Sequence, residues 1–248
     1  MKDVLGEALT DHYHQRSPGK LWVNNKYGPK EEMPVDVYFR EAEDMPELEW
    51  IALQQCKGRV LDIGAGAGSH VLTLQQMGFD VTALDISRKA AAVMRSRGVK
   101  KIILQDFFTL ESEELDIAVP DLLGAAAPAG YDTLLLLMNG IGLSGTLDGL
   151  RTFLAKARTL LRPGGRLVFD SSDIAYLYEG KPPRSKDYYG EILYQYEYKK
   201  ERGDWFKWLF IDRKTLAGIL ASEGWLMEVL FEDEWGQFLV SCRTGVAQ

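Results

Sequence analysis

From Arg59 to Asp170, short apolar runs alternate with stretches whose apolar residues recur at helical spacing. In order they read RVLDI, SHVLTLQQMG, FDVTALDI, SRKAAAVMRSRG, KKIILQD, YDTLLLLMN, TLDGLRTFLAKARTLL and GGRLVFD. Strands separated by helix-length segments imply crossover connections and a parallel sheet. The unbroken run LLLLM after Asp132 fits a central strand covered on both faces. Ser87 can cap the helix RKAAAVMRSR, Gly98 falls where that helix should end, and Gly78 closes the preceding one. Pro163-Gly164-Gly165 stops the helix that ends in Leu160-Leu161 and turns the chain into RLVFD.

The flanks read differently. Residues 1–57 are polar, carry Pro18, Pro29, Pro34 and Pro46, and show only short helical patterns, so an arm or lid is expected before a domain spanning 58–248. Within that domain, about 174–212 reads as a substrate-side insertion: EILYQYEYKK, a turn at Glu201-Arg202-Gly203-Asp204, then WFKWLFI, a β-hairpin pattern. Asp212 is placed to cap the helix RKTLAGILASEG, which Gly224 ends. WLMEVLF and QFLVSCR follow with a short acidic turn between them, which implies an antiparallel pair. A modest Ala/Gly/Pro stretch, GAAAPAG, precedes Tyr131. The expected fold is α/β: a doubly wound, mostly parallel seven-stranded sheet with an antiparallel last strand, an N-terminal helical arm and a β-hairpin insertion.

Composition narrows the partners. Of 248 residues, 46% are hydrophobic and 26% charged, as in ordinary globular domains, and the net charge is −7. That acidity argues against nucleic acid, whose binders display a basic face. Cys56 and Cys242, the only cysteines, form no metal-binding spacing, which fits a reducing compartment. No apolar run reaches bilayer length and the N-terminus lacks a signal-peptide core, so a cytoplasmic location and no membrane partner are expected. His12 and His14 form an HxH without a third ligand nearby, and no metal is expected.

The densest chemical signal is VLDIGAGAGS, residues 60–69: one acid inside an apolar run, then glycines at alternate positions. Glycine admits positive φ and close approach of another surface, at an entropic cost of roughly 0.5–1 kcal/mol each. A ligand is the best reason to accept that cost three times. In a doubly wound sheet, ligands bind outside the carboxyl ends of the strands. The loop lies at the end of the first strand, Asp85 at the second, Asp106 at the third and Asn139 at the fourth.

VLDIGAGAG followed by Asp85, Asp106 and LLRPGG resembles the class I S-adenosylmethionine-dependent methyltransferases, over roughly residues 58–170 and in outline over the C-terminal hairpin. The resemblance implies a Rossmann-like fold and S-adenosylmethionine as cofactor. A dinucleotide is the main rival, but its fingerprint needs glycine or alanine where Ser69 stands, and Asp62 would set a negative charge beside the phosphates. The resemblance implies that Gly64, Ala65, Gly66 and Gly68 give the methionine moiety and ribose a bare backbone to lie on. It further implies that Asp62 pairs with the donor ammonium, Asp85 accepts from the ribose hydroxyls and Asp106 accepts from the adenine amino group. Ile86 and Phe107 would flank the ring, and Asn139, Gly140 and Ile141 would lie below the sulfonium. Tyr38 and Arg40 on the arm are candidates to close over the donor, Arg40 meeting its carboxylate. Ser69 reads as a helix start, and His70 as a residue facing solvent or a neighbouring carboxylate.

Methyl transfer from a sulfonium is an in-line displacement in which the protein mainly positions the nucleophile, so no universal catalytic residue is expected. Asp170, Asp173 and Glu191 are the candidate bases. Seven of the 11 tyrosines fall in the insertion, and alternation in YQYEY puts Tyr194, Tyr196 and Tyr198 on one face, either an aromatic wall for a substrate or a minor core of the hairpin. The text MNGIGL after the fourth strand lacks the Asn- or Asp-Pro-Pro-aromatic motif of DNA amino methyltransferases. A small-molecule acceptor is the leading expectation. A protein side chain, or a catalytically silent binding module, are the alternatives, and the sequence does not give the oligomeric state.

Overall fold

A computed structural model of the chain describes residues 2–110, 130–178 and 187–245. Most of the stretch 124–130, and residues 179–186 of the insertion, lie outside them. The chain begins with α1 (Val4–His14), β1 (Leu21–Asn25), β2 (Glu31–Met33) and α2 (Glu47–Gln55). The alternating core follows: β3 (Arg59–Ile63), α3 (Ser69–Gln76), β4 (Asp80–Asp85), α4 (Arg88–Arg97), β5 (Ile102–Leu104), β6 (Tyr131–Leu136), α5 (Leu147–Leu160) and β7 (Leu161–Ser172). The chain ends with β8 (Glu191–Tyr198), β9 (Glu201–Arg202), β10 (Phe206–Leu209), α6 (Arg213–Ser222), β11 (Trp225–Glu232) and β12 (Gln237–Thr244).

The main sheet has seven strands in the order β11-β12-β7-β6-β3-β4-β5. β3 pairs in parallel with both β4 and β6, and β12 runs antiparallel to both of its neighbours. From β3 the chain winds outward through β4 to β5, then returns to β6 and winds the other way. The crevice for a ligand therefore opens at the carboxyl ends of β3 and β6.

Alternation along β3 explains the buried acid. Leu61 and Ile63 join the layer that packs on α5 and α6, with Phe153, Leu154 and Leu216. Val60 joins the opposite layer, with Leu53 of α2, Leu74 of α3 and Met94 of α4. Asp62 shares the face of Val60, since side chains alternate along a strand. An acid thus points into a helical layer at its upper rim, where only 2% of its surface stays exposed.

The caps fall where composition places them. Ser87 accepts from the Ala90 N–H at 2.8 Å, and Gly98 takes φ +98° at the end of α4. Asp212 accepts from the Thr215 N–H at 2.9 Å at the start of α6. Pro163-Gly164-Gly165 interrupts the ladder rather than preceding it: β7 pairs with β6 at Leu161 and again from Arg166, with an irregularity between.

The first 57 residues contribute strands as well as helices, which their short helical patterns did not suggest. LWVNN and EEM form β1 and β2, and these join the hairpin in a second sheet ordered β10-β8-β1-β2, with β9 on β8. Five- and three-residue strands are too short to show a period, and their partner lies far away in sequence. β1 pairs antiparallel with β8 from Leu21↔Tyr198 to Asn25↔Tyr194. Arm and insertion are therefore one structure, laid over the crevice.

Helix α1 fixes this second sheet to the first. Leu9 packs with Ala90 and Val93 of α4, while Val4 and Ala8 pack with Leu21 and Tyr198. The Tyr198 hydroxyl accepts from the Gly19 N–H at 2.9 Å and donates to Asp11 Oδ2 at 3.1 Å. The caps of α1 and α4 are also joined, because Ser87 Oγ donates to Asp3 Oδ2 at 2.7 Å. Both cysteines are free and buried. No helix among the described residues is long and apolar enough to cross a membrane.

Candidate functional site

The turn after β3 carries Gly64 at φ +75°, Gly66 at +57° and Gly68 at +85°. These are left-handed conformations that disfavour a β-carbon. Gly64 N–H donates to the Leu84 carbonyl at 2.8 Å, which ties the loop to the end of β4. A Cβ on Gly64 would meet nothing within 4 Å, and one on Gly66 would lie 3.2 Å from the Tyr38 ring. Gly64 thus faces open space, whereas Gly66 lies against an aromatic ring from the arm.

Above this loop is a cavity of about 500 Å³. Of the twelve residues expected to hold the donor, ten line it: Asp62, Gly64, Ala65, Gly66, Asp85, Ile86, Asp106, Phe107, Asn139 and Gly140. Gly68 and Ile141 do not line it. Gly68 turns toward α4, where a Cβ would come within 2.9 Å of Val99 and 3.0 Å of Met94, so its missing side chain serves helix packing. Ile141 is fully buried in the layer with Leu150 and Phe153. In both cases an apolar neighbour the sequence could not reveal supplies the reason.

The acids differ in state. Asp85 is held by backbone N–H groups, Ser87 to Oδ1 at 2.7 Å and Gly66 to Oδ2 at 2.8 Å. Burial raises its pKa, and those two N–H bonds oppose the rise. Asp106 accepts from the Phe108 N–H at 2.9 Å and caps a short 3-10 turn. Asp62 is the unusual one, because its Oδ2 is buried without a hydrogen-bond partner among the described residues. Burial pushes its carboxyl up to about 6, against the opposing effect of His70.

His70 is not at the surface. It is 7% exposed, and its Nε2 lies 2.9 Å from Oε2 of Glu49 on α2. Burial alone would lower its pKa, but the Glu49 bond and the charge of Asp62 raise it overall. Arg40 donates to the other Glu49 oxygen at 2.5 Å. Arg40 and His70 both line the cavity, so two basic groups on the arm and α3 are engaged by one buried carboxylate. Glu49 carried no signal in the sequence beyond an ordinary acid in the first turn of a helix.

The upper walls come from the arm and the hairpin. Tyr38, Tyr194, Tyr196, Trp208 and Phe210 line the cavity with Val23, Met33 and Leu143. Tyr198 shares their strand face but packs on α1 instead. Burial pushes the Tyr38 phenol up to about 12, with Tyr196 opposing the rise, and burial also raises Tyr196. Both phenols stay protonated and can donate. Phe107 lines the cavity with one edge while stacking on Phe153 at 4.4 Å, so it serves core and cavity together.

The candidate bases lie elsewhere. Asp170 accepts the Asn139 N–H at 2.9 and 3.0 Å and is fully buried. Asp173 accepts the Tyr189 hydroxyl at 2.6 Å, and Glu191 is paired with Lys207 at 3.0 Å. None of the three lines the cavity. Asp170 instead holds the backbone of Asn139, whose φ is +56° and whose Oδ1 accepts from Ser172 Oγ at 2.9 Å.

Sheet order, glycine loop and acid-tipped strands define an open α/β protein with a cavity at its switch point. The family model described as a methyltransferase domain matches residues 60–165. The crystal structure of an S-adenosylmethionine-dependent methyltransferase from Bacteroides fragilis, in complex with S-adenosyl-L-homocysteine, superposes with a TM-score of 0.85 at 37% identity. That match covers 99% of this chain and 96% of the other. Glycine N-methyltransferase of Rattus norvegicus is 27% identical over 202 residues, 77% of this chain and 64% of that protein. Demethylmenaquinone methyltransferase of Tropheryma whipplei is 30% identical over 109 residues, 44% of this chain and 39% of that protein. The chain thus spans less than two thirds of the length of either curated relative. It belongs to the S-adenosylmethionine-dependent methyltransferases.

The residues present fit that family's cofactor. A buried, unpartnered carboxylate oxygen on Asp62 suits an ammonium group. Bare backbone at Gly64 and Gly66 leaves room against the loop, and Asp85 stands where a sugar diol can reach it.

Proposed function

We propose that the chain transfers the methyl group of S-adenosylmethionine to a small-molecule acceptor held between the glycine loop and the second sheet. The observation that carries this reading is the continuity of one cavity from Asp62, Gly64 and Gly66 at its floor to Tyr194, Tyr196 and Trp208 at its roof. Its volume of about 500 Å³ lies in the roughly 300–1,000 Å³ range of small-ligand sites. A roof built from the arm and the insertion together suits a discrete molecule better than a polymer, and the two curated relatives are named for small acceptors.

The cofactor supplies an electrophilic methyl group on a sulfonium. The chain's own residues do the rest. Asp62 offers a carboxylate to a cationic arm, Asp85 orients a sugar, and the aromatic roof displaces water and sets the acceptor's angle of approach. Asp170 holds the Asn139 amide so that the turn after β6 keeps its left-handed conformation. Domain boundaries follow the same logic: 58–248 carries the donor site, and residues 1–57 act with the insertion at about 174–212 as its cover.

The test is label transfer from S-adenosylmethionine to a pool of low-molecular-mass metabolites, with Asp85→Ala as control. Transfer by wild type and its loss in the variant are expected. Label appearing only on added protein would replace the small-molecule reading. Failure of S-adenosylhomocysteine to bind folded protein would remove the donor assignment itself.

A further inference from the structure

Alternation on the second sheet sorts its two faces. On the outer face stand Glu197, covered by Lys30 at 2.7 Å and Arg202 at 2.7 Å, and Trp22, with Lys30 4.6 Å from its ring centre. Toward the cavity stand Tyr194, Tyr196, Phe206 and Trp208 in mutual ring contact, Tyr196 to Phe206 at 5.2 Å and Phe206 to Trp208 at 6.2 Å. An acid at the cavity shares this inner face. Glu31 is opposite Val23 in the register of β1 and β2, and Val23 is opposite Tyr196 in that of β1 and β8. Glu31 lines the cavity, and its charge contributes, after burial, to raising the Tyr194 phenol to about 12. Among the described residues it has no ion pair, whereas the adjacent Glu32 is paired with Lys20 at 2.5 Å.

The charge around the cavity is lopsided. Its described acids are Glu31, Glu32, Asp62, Asp85 and Asp106, and its described basic groups are Arg40 and His70, both engaged by Glu49. An anionic nucleophile, a carboxylate or a phenolate, would enter against that field. A hydroxyl must give up its proton as it attacks, and the three acids anticipated for that task do not line the cavity, leaving only the Glu31 carboxylate unpaired on the acceptor side among the described residues. An uncharged amine nitrogen needs neither, and the ammonium it becomes is suited to aromatic walls and an unpaired carboxylate.

Resting on the small-molecule reading above, we propose that the acceptor is an amine and that Glu31 marks its side of the cavity. The nitrogen lone pair forms the new N–C bond as the methyl carbon's bond to sulfur breaks. The electron pair of that bond stays on sulfur, leaving a neutral thioether. The positive charge passes to nitrogen, which then sheds one proton to the Glu31 carboxylate or to water.

Two measurements test this on the intact chain. In the first, the metabolite pool is treated with acetic anhydride and then with hydroxylamine, so that amines stay blocked while oxygen and sulfur esters are released. Label transfer to the pool should disappear, and transfer that survives overturns the proposal. In the second, 2-phenylethylamine and phenylacetate are titrated into protein saturated with S-adenosylhomocysteine. The amine should bind more tightly than the acid, and Glu31→Gln should weaken the amine about two- to five-fold, the scale of one exposed ion pair. Affinity for S-adenosylhomocysteine should be unchanged in that variant. Equal or stronger binding of phenylacetate, no binding of the amine, or an amine affinity indifferent to Glu31→Gln each overturns the amine assignment. Loss of S-adenosylhomocysteine binding in wild type would instead count against the donor site.

Discussion

Asp62 occupies a position where solvation is lost and, among the described residues, no hydrogen bond reaches its Oδ2, so burial pushes its carboxyl up to about 6. The raised value favours the neutral acid in the folded chain. Its contribution to stability is therefore full below the ordinary carboxylate range of about 4 and lost as pH climbs through 6. Ligand binding runs the opposite way, because an ammonium needs the ionised form. Calorimetry with S-adenosylhomocysteine should show affinity falling as pH drops through about 6, and Asp62→Asn should be weaker and nearly flat over the same range. Gly66 permits a second test. A side chain there meets a left-handed backbone, worth about 1–2 kcal/mol, and the Tyr38 ring at 3.2 Å. Gly66→Ala should lower S-adenosylhomocysteine affinity about ten-fold or more, read by titration, while circular dichroism stays native.

At the scale of elements, the parallel core was legible because each strand and helix is long enough to show its period and carries its own stop signals. Asp212 and Ser87 were readable as caps for the same local reason. Strands β1 and β2 were not, since a short strand is defined by its partner and β8 lies about 170 residues further along the chain. Glu49 was invisible for a related cause: an acid in a first helical turn becomes the anchor of Arg40 and His70 only when α2 packs beside α3. The turn after β6 shows the same dependence. A Cβ on Gly142 would fall 2.0 Å from Trp208 Nε1, so this glycine seats the indole in the roof. Gly142→Ala should displace Trp208 and depress methyl transfer much more than S-adenosylhomocysteine affinity, measured by turnover and calorimetry on the same preparation.

For the whole molecule, donor floor and roof are linked through α1. Asp3 joins Ser87, and the Ser87 amide in turn holds Asp85 at 2.7 Å. A ligand on Asp85 therefore touches the arm through two hydrogen bonds. S-adenosylhomocysteine should slow amide hydrogen exchange in α1 and β1 as well as in the glycine loop, and exchange slowed in the loop alone would show the two layers to be uncoupled.

The pairing of β1 with β8 also constrains how the chain is made. The segment LWVNN is made about 170 residues before the strand that completes its ladder. In that interval Leu21 and Val23 flank an unpaired backbone edge, the kind of surface on which nascent chains stick to one another. In the finished fold that edge is closed on both sides, by β2 and by β8.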